Sequence, residues 1–227
     1  LKKLILSGGG DEKQTRIIDE YFVSMLSPDL PLLYIPVAMD PPAENYRECY
    51  EWFTEVFHPL GVSCIEMWTD LDDKRIDDLN VFSAVYIGGG NTFHLWGKLK
   101  DTPFLEMLEL YIAEGGIVYG GSAGAIILGS HLETCALSDD NTTGLTDYSG
   151  LGCIGGYAIL CHDEKGQEEF IKSLTIKWKK PVIALSEETG LAVAGNCLTV
   201  IGNKPAITSD ENGILEVNIG KVIEWKE

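Results

Sequence analysis

Three glycine-rich turns constrain this chain more than any other feature of its sequence. They are Gly8-Gly9-Gly10, Gly88-Gly89-Gly90-Asn91-Thr92 and Gly120-Gly121-Ser122-Ala123-Gly124. Each follows a short, largely apolar run and precedes a helical pattern. The runs Leu4–Ser7, Ala84–Ile87 and Ile117–Tyr119 have the texture of strands buried on both faces, as do Leu32–Val37 and Val62–Met67. Helical periodicity covers Thr15–Leu26, Glu44–Phe57, a short stretch near Thr92–Leu99, and Pro103–Glu114. This alternation predicts an α/β fold, a doubly wound and mostly parallel sheet with helices on both faces. In such a sheet all three turns fall at the carboxyl edge of the strands, where ligands bind.

After Gly195 the pattern shortens. Thr199–Ile201, Ala206–Thr208, Ile214–Val217 and Lys221–Trp225 are separated by Gly, Asn and Asp, and read as antiparallel β-hairpins appended to the sheet. No Pro/Ser-rich linker and no internal repeat interrupts the 227 residues, so residues 1–227 read as one domain.

Composition narrows the function classes. With 35 acidic against 17 basic residues the net charge is −18, which argues against nucleic-acid binding and suits solubility. No stretch approaches the ~20 apolar residues needed to cross a bilayer. The Lys2-Lys3 pair precedes an apolar run too short for a signal sequence, so that run reads as a first strand and a cytoplasmic location is expected. None of the six cysteines forms a C-x-x-C pair, so neither a zinc nor a redox motif is expected; Cys64 and Cys197 read as core thiols.

Gly120-Gly121-Ser122-Ala123-Gly124 matches G-x-S-x-G. A sharp strand-to-helix turn there exposes the serine Oγ, and the helix N-terminus offers N–H groups to a developing oxyanion. A serine nucleophile needs a base, and four histidines are available. His58 precedes Pro59 at a helix end; His94 sits in a short helix as a possible binding residue; His131 lies one helix downstream of Ser122. His162 follows the apolar run Tyr157–Cys161, which places it on the carboxyl edge with Ser122, and it is the expected general base.

The group that orients the imidazole is sought among Asp139, Asp140, Asp163, Glu164, Glu187 and Glu188. Asp163 and Glu164 read as the N-terminal acids of the next helix. Glu187 follows the strand Val182–Leu185 and is favoured, with Glu188 its nearest rival. The Gly88–Thr92 turn has no Walker lysine; beside a nucleophile elbow it supplies a second oxyanion N–H, from Gly89 or Gly88. Asn91, Thr92 and Asp140 are the candidate substrate contacts.

Taken in order, these motifs resemble the aspartyl dipeptidase (peptidase E) and cyanophycinase family of serine peptidases, across nearly the whole chain. The resemblance implies a Ser122-His162-Glu187 triad, an oxyanion hole from the Gly89 region and the Ala123 N–H, and no metal or organic cofactor. It also implies a flavodoxin-like, three-layer fold related to class I glutamine amidotransferases. Members that require an N-terminal aspartate resemble one another in an arginine-bearing segment shortly after the histidine. Here no arginine lies beyond Arg75, so strict Asp-X specificity is not expected. Lys165 or Lys172 could meet a carboxylate as a point charge. The expected activity is hydrolysis of short peptides by a monomer or homodimer. Two other readings stay open, a cyanophycinase-like hydrolase of β-Asp-Arg peptides and a non-catalytic ligand-binding member of the fold.

Overall fold

The computed structural model of the chain describes residues 1–39, 46–164 and 166–225. Five strands run parallel: β1 (Lys3–Ser7), β2 (Leu32–Ile35), β3 (Ile65–Met67), β4 (Ala84–Ile87) and β5 (Ile117–Gly121). Three more extend the sheet antiparallel beyond β1: β8 (Thr189–Ala194), β9 (Cys197–Gly202) and β12 (Val222–Glu224). The order is β12-β9-β8-β1-β5-β4-β2-β3.

Strand alternation divides the core. Ile5, Tyr34, Tyr86 and Tyr119 face α1 (Arg16–Val23) and α2 (Tyr46–Phe57), packing on Ile18, Phe22, Phe53 and Phe57. Leu4, Leu6, Val85, Ile87 and Val118 face the other way, into the cluster built by α3 (Ile76–Leu79), α4 (Thr92–Lys100), α5 (Phe104–Ala113) and α6 (Ala123–Leu128). The period of two along each strand and the apolar stripe along each helix therefore meet on both faces, the condition for a three-layer sandwich. Complete burial of a side chain such as Phe53 or Phe57 contributes roughly 2–3 kcal/mol. The α1/α2 side is rich in aromatic rings: Tyr34 stacks on Phe53 at 4.0 Å and Tyr86 on Tyr119 at 4.3 Å.

The main departure from the sequence reading is a second sheet. β6 (Ala158–Leu160) and β7 (Val182–Ala184) pair with each other in parallel, not with the large sheet, and β10 (Ala206–Asp210) and β11 (Gly213–Val217) complete the order β11-β10-β7-β6. The expected C-terminal hairpins are thus shared out: β9 and β12 extend the large sheet, while β10 and β11 cover the edge of β7. One face of the small sheet is buried by α7 (Glu168–Trp178) through Ile171 and Leu174; the other, with Ile159 and Ile183, joins the α4–α6 core.

Smaller differences have local causes. α2 begins at Tyr46; the expected start at Glu44 lies outside the described residues. α7 starts at Glu168, so its first-turn acids are Glu168 and Glu169 and not Asp163 and Glu164, which lie in the preceding loop. Cys64 is exposed and Cys197 half-buried, because one precedes the edge strand β3 and the other opens β9 just after the turn at Gly195. Cys135, Cys153 and Cys161 are the buried thiols. Among the described residues, no helix is long and apolar enough to cross a membrane.

Candidate active site

Ser122 sits between β5 and α6 at φ 48°, ψ −109°, a conformation that non-glycine residues rarely adopt. Its surroundings impose that turn. Its N–H donates to Ser7 O at 3.0 Å, tying the elbow to the end of β1, and its carbonyl accepts the N–H groups of Ala125 and Ile126. The flanking glycines let α6 sit against the sheet. A Cβ on Gly120 would lie 2.4 Å from Gly124 O, and one on Gly124 would lie 2.3 Å from Ile87 O.

His162 follows β6 and also has positive φ, at 55°. Its N–H donates to Gly8 O at 3.1 Å, and the next N–H, of Asp163, donates to Leu185 O at 3.0 Å. The residue is thereby pinned between the first glycine turn and the end of β7. Its imidazole lies directly over Gly9, where a Cβ would come within 2.3 Å of Cε1. The first glycine triplet therefore seats the ring, a role beyond its reading as a ligand-edge turn.

The ring bridges two side chains. Nε2 lies 2.8 Å from Ser122 Oγ and Nδ1 lies 3.2 Å from Glu187 Oε1. With the Nδ1 proton turned to the carboxylate, Nε2 is left to accept the Ser122 hydroxyl proton. Glu188 is directed elsewhere, into a 2.6 Å ion pair with Lys204. Glu187 Oε2 accepts a second hydrogen bond, from Gln14 Nε2 at 2.6 Å. Nothing local in the sequence links Gln14 with Glu187 across 173 positions.

Gly89 approaches the elbow from β4; a Cβ there would lie 3.1 Å from Ser122 Cβ and 3.7 Å from Oγ. The Gly88 N–H is used by Ile35 O and the Asn91 N–H by Ala38 O. Among the described residues, neither the Gly89 nor the Ala123 N–H donates to a backbone carbonyl. The expected substrate contacts are tied into the loop. Asn91 caps α4 by accepting the His94 N–H at 2.9 Å, and its Nδ2 donates to the Asp140 carbonyl at 3.0 Å. Thr92 is fully buried, and its N–H donates to Asp139 Oδ2 at 2.7 Å. Asp139, not Asp140, is the acid of this loop that reaches the cavity wall. Lys172 lines a separate cleft near Trp225, and Lys165 lies outside the described residues.

Ser122 and His162 open onto a cavity of about 650 Å³. It extends past Gly88 and Gly121 along the α1/α2 face to Tyr34, Trp52, Phe57 and Tyr86. Three acids lie on its wall, Asp19, Glu48 and Asp139, and among the described residues no lysine or arginine does. Asp19 is only 2% exposed. It accepts hydrogen bonds from Thr15 Oγ1 at 2.7 Å and from the Tyr119 hydroxyl at 2.8 Å. Burial pushes its carboxyl up to about 6, the two hydrogen bonds partly offsetting the loss of water. Asp163, beside His162, is also raised to about 6, by burial first and then by the nearby Glu168 and Glu164. Among the described residues, no group of three or more His, Cys, Asp or Glu is arranged to hold a metal ion.

Comparison with known proteins gives a consistent result. The family model described as Peptidase family S51 matches residues 4–201. A cyanophycinase from Geminocystis herdmanii is 27% identical over 182 residues, 75% of this chain and 67% of that protein. A peptidase E from Shewanella sp. is 27% identical over 132 residues, 54% of this chain, and the match spans 55% of that protein, little more than half its length. Among solved structures, a peptidase from an acI-B1 Actinobacterium superposes with a TM-score of 0.76 at 19% identity, covering 99% of this chain and 97% of that one. At that identity the likeness establishes the fold.

Proposed function

We propose that this chain, which belongs to peptidase family S51, hydrolyses short peptides through a serine acyl-enzyme, with Ser122 as nucleophile, His162 as general base and Glu187 as the acid that orients the imidazole. The observation that carries this reading is the hydrogen-bonded line from Ser122 Oγ through His162 to Glu187, headed by a serine in a strained elbow.

In this reading Ser122 Oγ attacks the scissile carbonyl carbon and its proton passes to His162 Nε2. Glu187 holds the Nδ1 proton, which fixes the tautomer and stabilises the imidazolium. The N–H groups of Gly89 and Ala123 bind the tetrahedral oxyanion. Collapse expels the leaving amine, which takes the proton from Nε2. Water, deprotonated by the same nitrogen, then attacks the acyl-enzyme and releases the acid.

A panel of di- and tripeptides, including Asp-X and β-Asp-Arg substrates, tests this with the wild type and Ser122→Ala. Cleavage by the wild type that drops by a factor of about a thousand or more in the variant is the expected result. Cleavage that survives the substitution unchanged would overturn it. A cyanophycinase-like substrate is the second reading, favoured by the acidic cavity wall of Asp19, Glu48 and Asp139, which suits a guanidinium group. Selective cleavage of the β-Asp-Arg member would identify it.

A further inference from the structure

The shorter of the two hydrogen bonds to Glu187 does not come from His162. Gln14 Nε2 lies 2.6 Å from Oε2, against 3.2 Å between His162 Nδ1 and Oε1. The Glu187 side chain is 42% exposed, and its three side-chain torsions would let an unanchored carboxylate swing into water. We propose that Gln14 is a positioning residue, whose amide holds the Glu187 carboxylate against the His162 imidazole; the proposal rests on the reading of these residues given above.

The orientation of the Gln14 amide is set by the turn that carries it. Its Oε1 accepts the Asp11 N–H at 2.8 Å, so the NH2 group must face Glu187. The reversed amide would set two acceptors against each other and turn its NH2 group on the Asp11 N–H. Asp11 is itself fixed, its Oδ1 accepting the N–H groups of Lys13 at 2.9 Å and Gln14 at 3.0 Å. Gly10 lets the two residues approach. A Cβ there would lie 2.9 Å from Glu187 Cβ and 3.0 Å from Gln14 Oε1. The turn after β1 therefore supports the candidate site twice, with Gly9 under the imidazole and Gln14 behind the carboxylate.

The test compares Gln14→Glu and Gln14→Ala with the wild type by the rate of labelling with a fluorophosphonate, followed against pH. In that reaction Ser122 Oγ bonds to phosphorus, fluoride leaves with its electron pair, and the hydroxyl proton passes to His162. Glutamate keeps the size and shape of the side chain but replaces the donor with a charged acceptor, so it breaks the contact without a cavity if the alanine variant folds poorly. Both variants are expected to label roughly ten- to a hundredfold more slowly at the plateau. The acidic limb is expected to move in opposite directions. Alanine frees the carboxylate and weakens its hold on the imidazolium, so reactivity persists to lower pH. Glutamate adds negative charge beside the ring and moves the limb to higher pH.

Rates within twofold of wild type in folded variants would overturn the proposal. So would slower labelling with unmoved limbs, which would mark Gln14 as a purely structural residue. A wild type that takes no label at Ser122 would overturn the serine-hydrolase reading itself, and this proposal with it.

Discussion

The imidazole of His162 occupies the space that a side chain on Gly9 would need, with a Cβ placed 2.3 Å from its Cε1. Gly9→Ala should therefore displace the ring and lower fluorophosphonate labelling at least a hundredfold. Gly9 has φ 103°, so the same change should also cost about 1–2 kcal/mol of stability. Labelling rate and thermal midpoint measured on one preparation separate the two effects. A variant that labels at the wild-type rate would show that His162 has room the structure does not provide.

The two adjacent acids should differ sharply. If Glu187 orients His162 as proposed, Glu187→Gln removes the charge that would stabilise the imidazolium and presents the wrong partner to Nδ1, with an expected loss of roughly a thousandfold or more in kcat/KM. Glu188→Gln breaks only a surface ion pair with Lys204 and should leave activity within about twofold and stability within about 1 kcal/mol. Equal losses in the two variants would contradict the assignment of Glu187.

Asp19 ties stability to pH. In the folded chain its carboxyl keeps its proton up to about pH 6, against the ordinary value of 3.8. Between those values the native state holds a proton that the unfolded chain releases, so this group makes stability fall as pH rises, by about 3 kcal/mol across the window. Above it the penalty is constant. Asp163 titrates in the same range, so the informative quantity is a difference between proteins. Urea unfolding of wild type and Asp19→Asn at pH 4 and pH 7 should show the variant gaining about 2 kcal/mol relative to wild type at the higher pH. An unchanged difference would mean that Asp19 keeps its ordinary affinity for a proton.

Acidic substrates should be poor ones. Asp19, Glu48 and Asp139 line the cavity, and the N–H of Thr92, at the start of α4, already donates to Asp139. A carboxylate entering there meets like charge with no cation in reach among the described residues. Peptides with an uncharged or basic residue at the cleaved position should exceed their aspartyl counterparts in kcat/KM by about tenfold or more. A clear preference for Asp-X in the peptide panel would reverse this expectation.

Much of this arrangement is legible in the sequence, because glycine turns and apolar runs are local signals. Ser122 and His162 each follow a buried strand, and the carboxyl ends of those strands, one in each sheet, meet at the site. Choosing Glu187 over Glu188 needs the conformation of the turn after β7, which a one-residue shift would invert. The second sheet was hidden because β6 and β7 have the same apolar texture whether they join five parallel strands or pair alone. Gln14 and Asp19 were hidden for another reason. Their partners, Glu187 and Tyr119, are distant in sequence, and a polar residue beside a helix start looks the same whether it meets solvent or a carboxylate. Asp139 and Asp140 look alike in a polar loop of the sequence, and only the fold sets Asp139 on the cavity wall.

The serine comes from the large sheet, whereas His162 and Glu187 follow strands of the small one. The proposed triad therefore crosses a seam between two sheets, joined at this point by the His162 N–H to Gly8 O contact, by the Cys161 thiol against Ser7 O and Ser122 O, and by apolar packing. A slip of the small sheet by an ångström would part Oγ from Nε2 while leaving almost every backbone hydrogen bond intact. Activity should then fade on warming before the circular dichroism changes, so that the chemistry serves as the most sensitive gauge of whether the two sheets are docked.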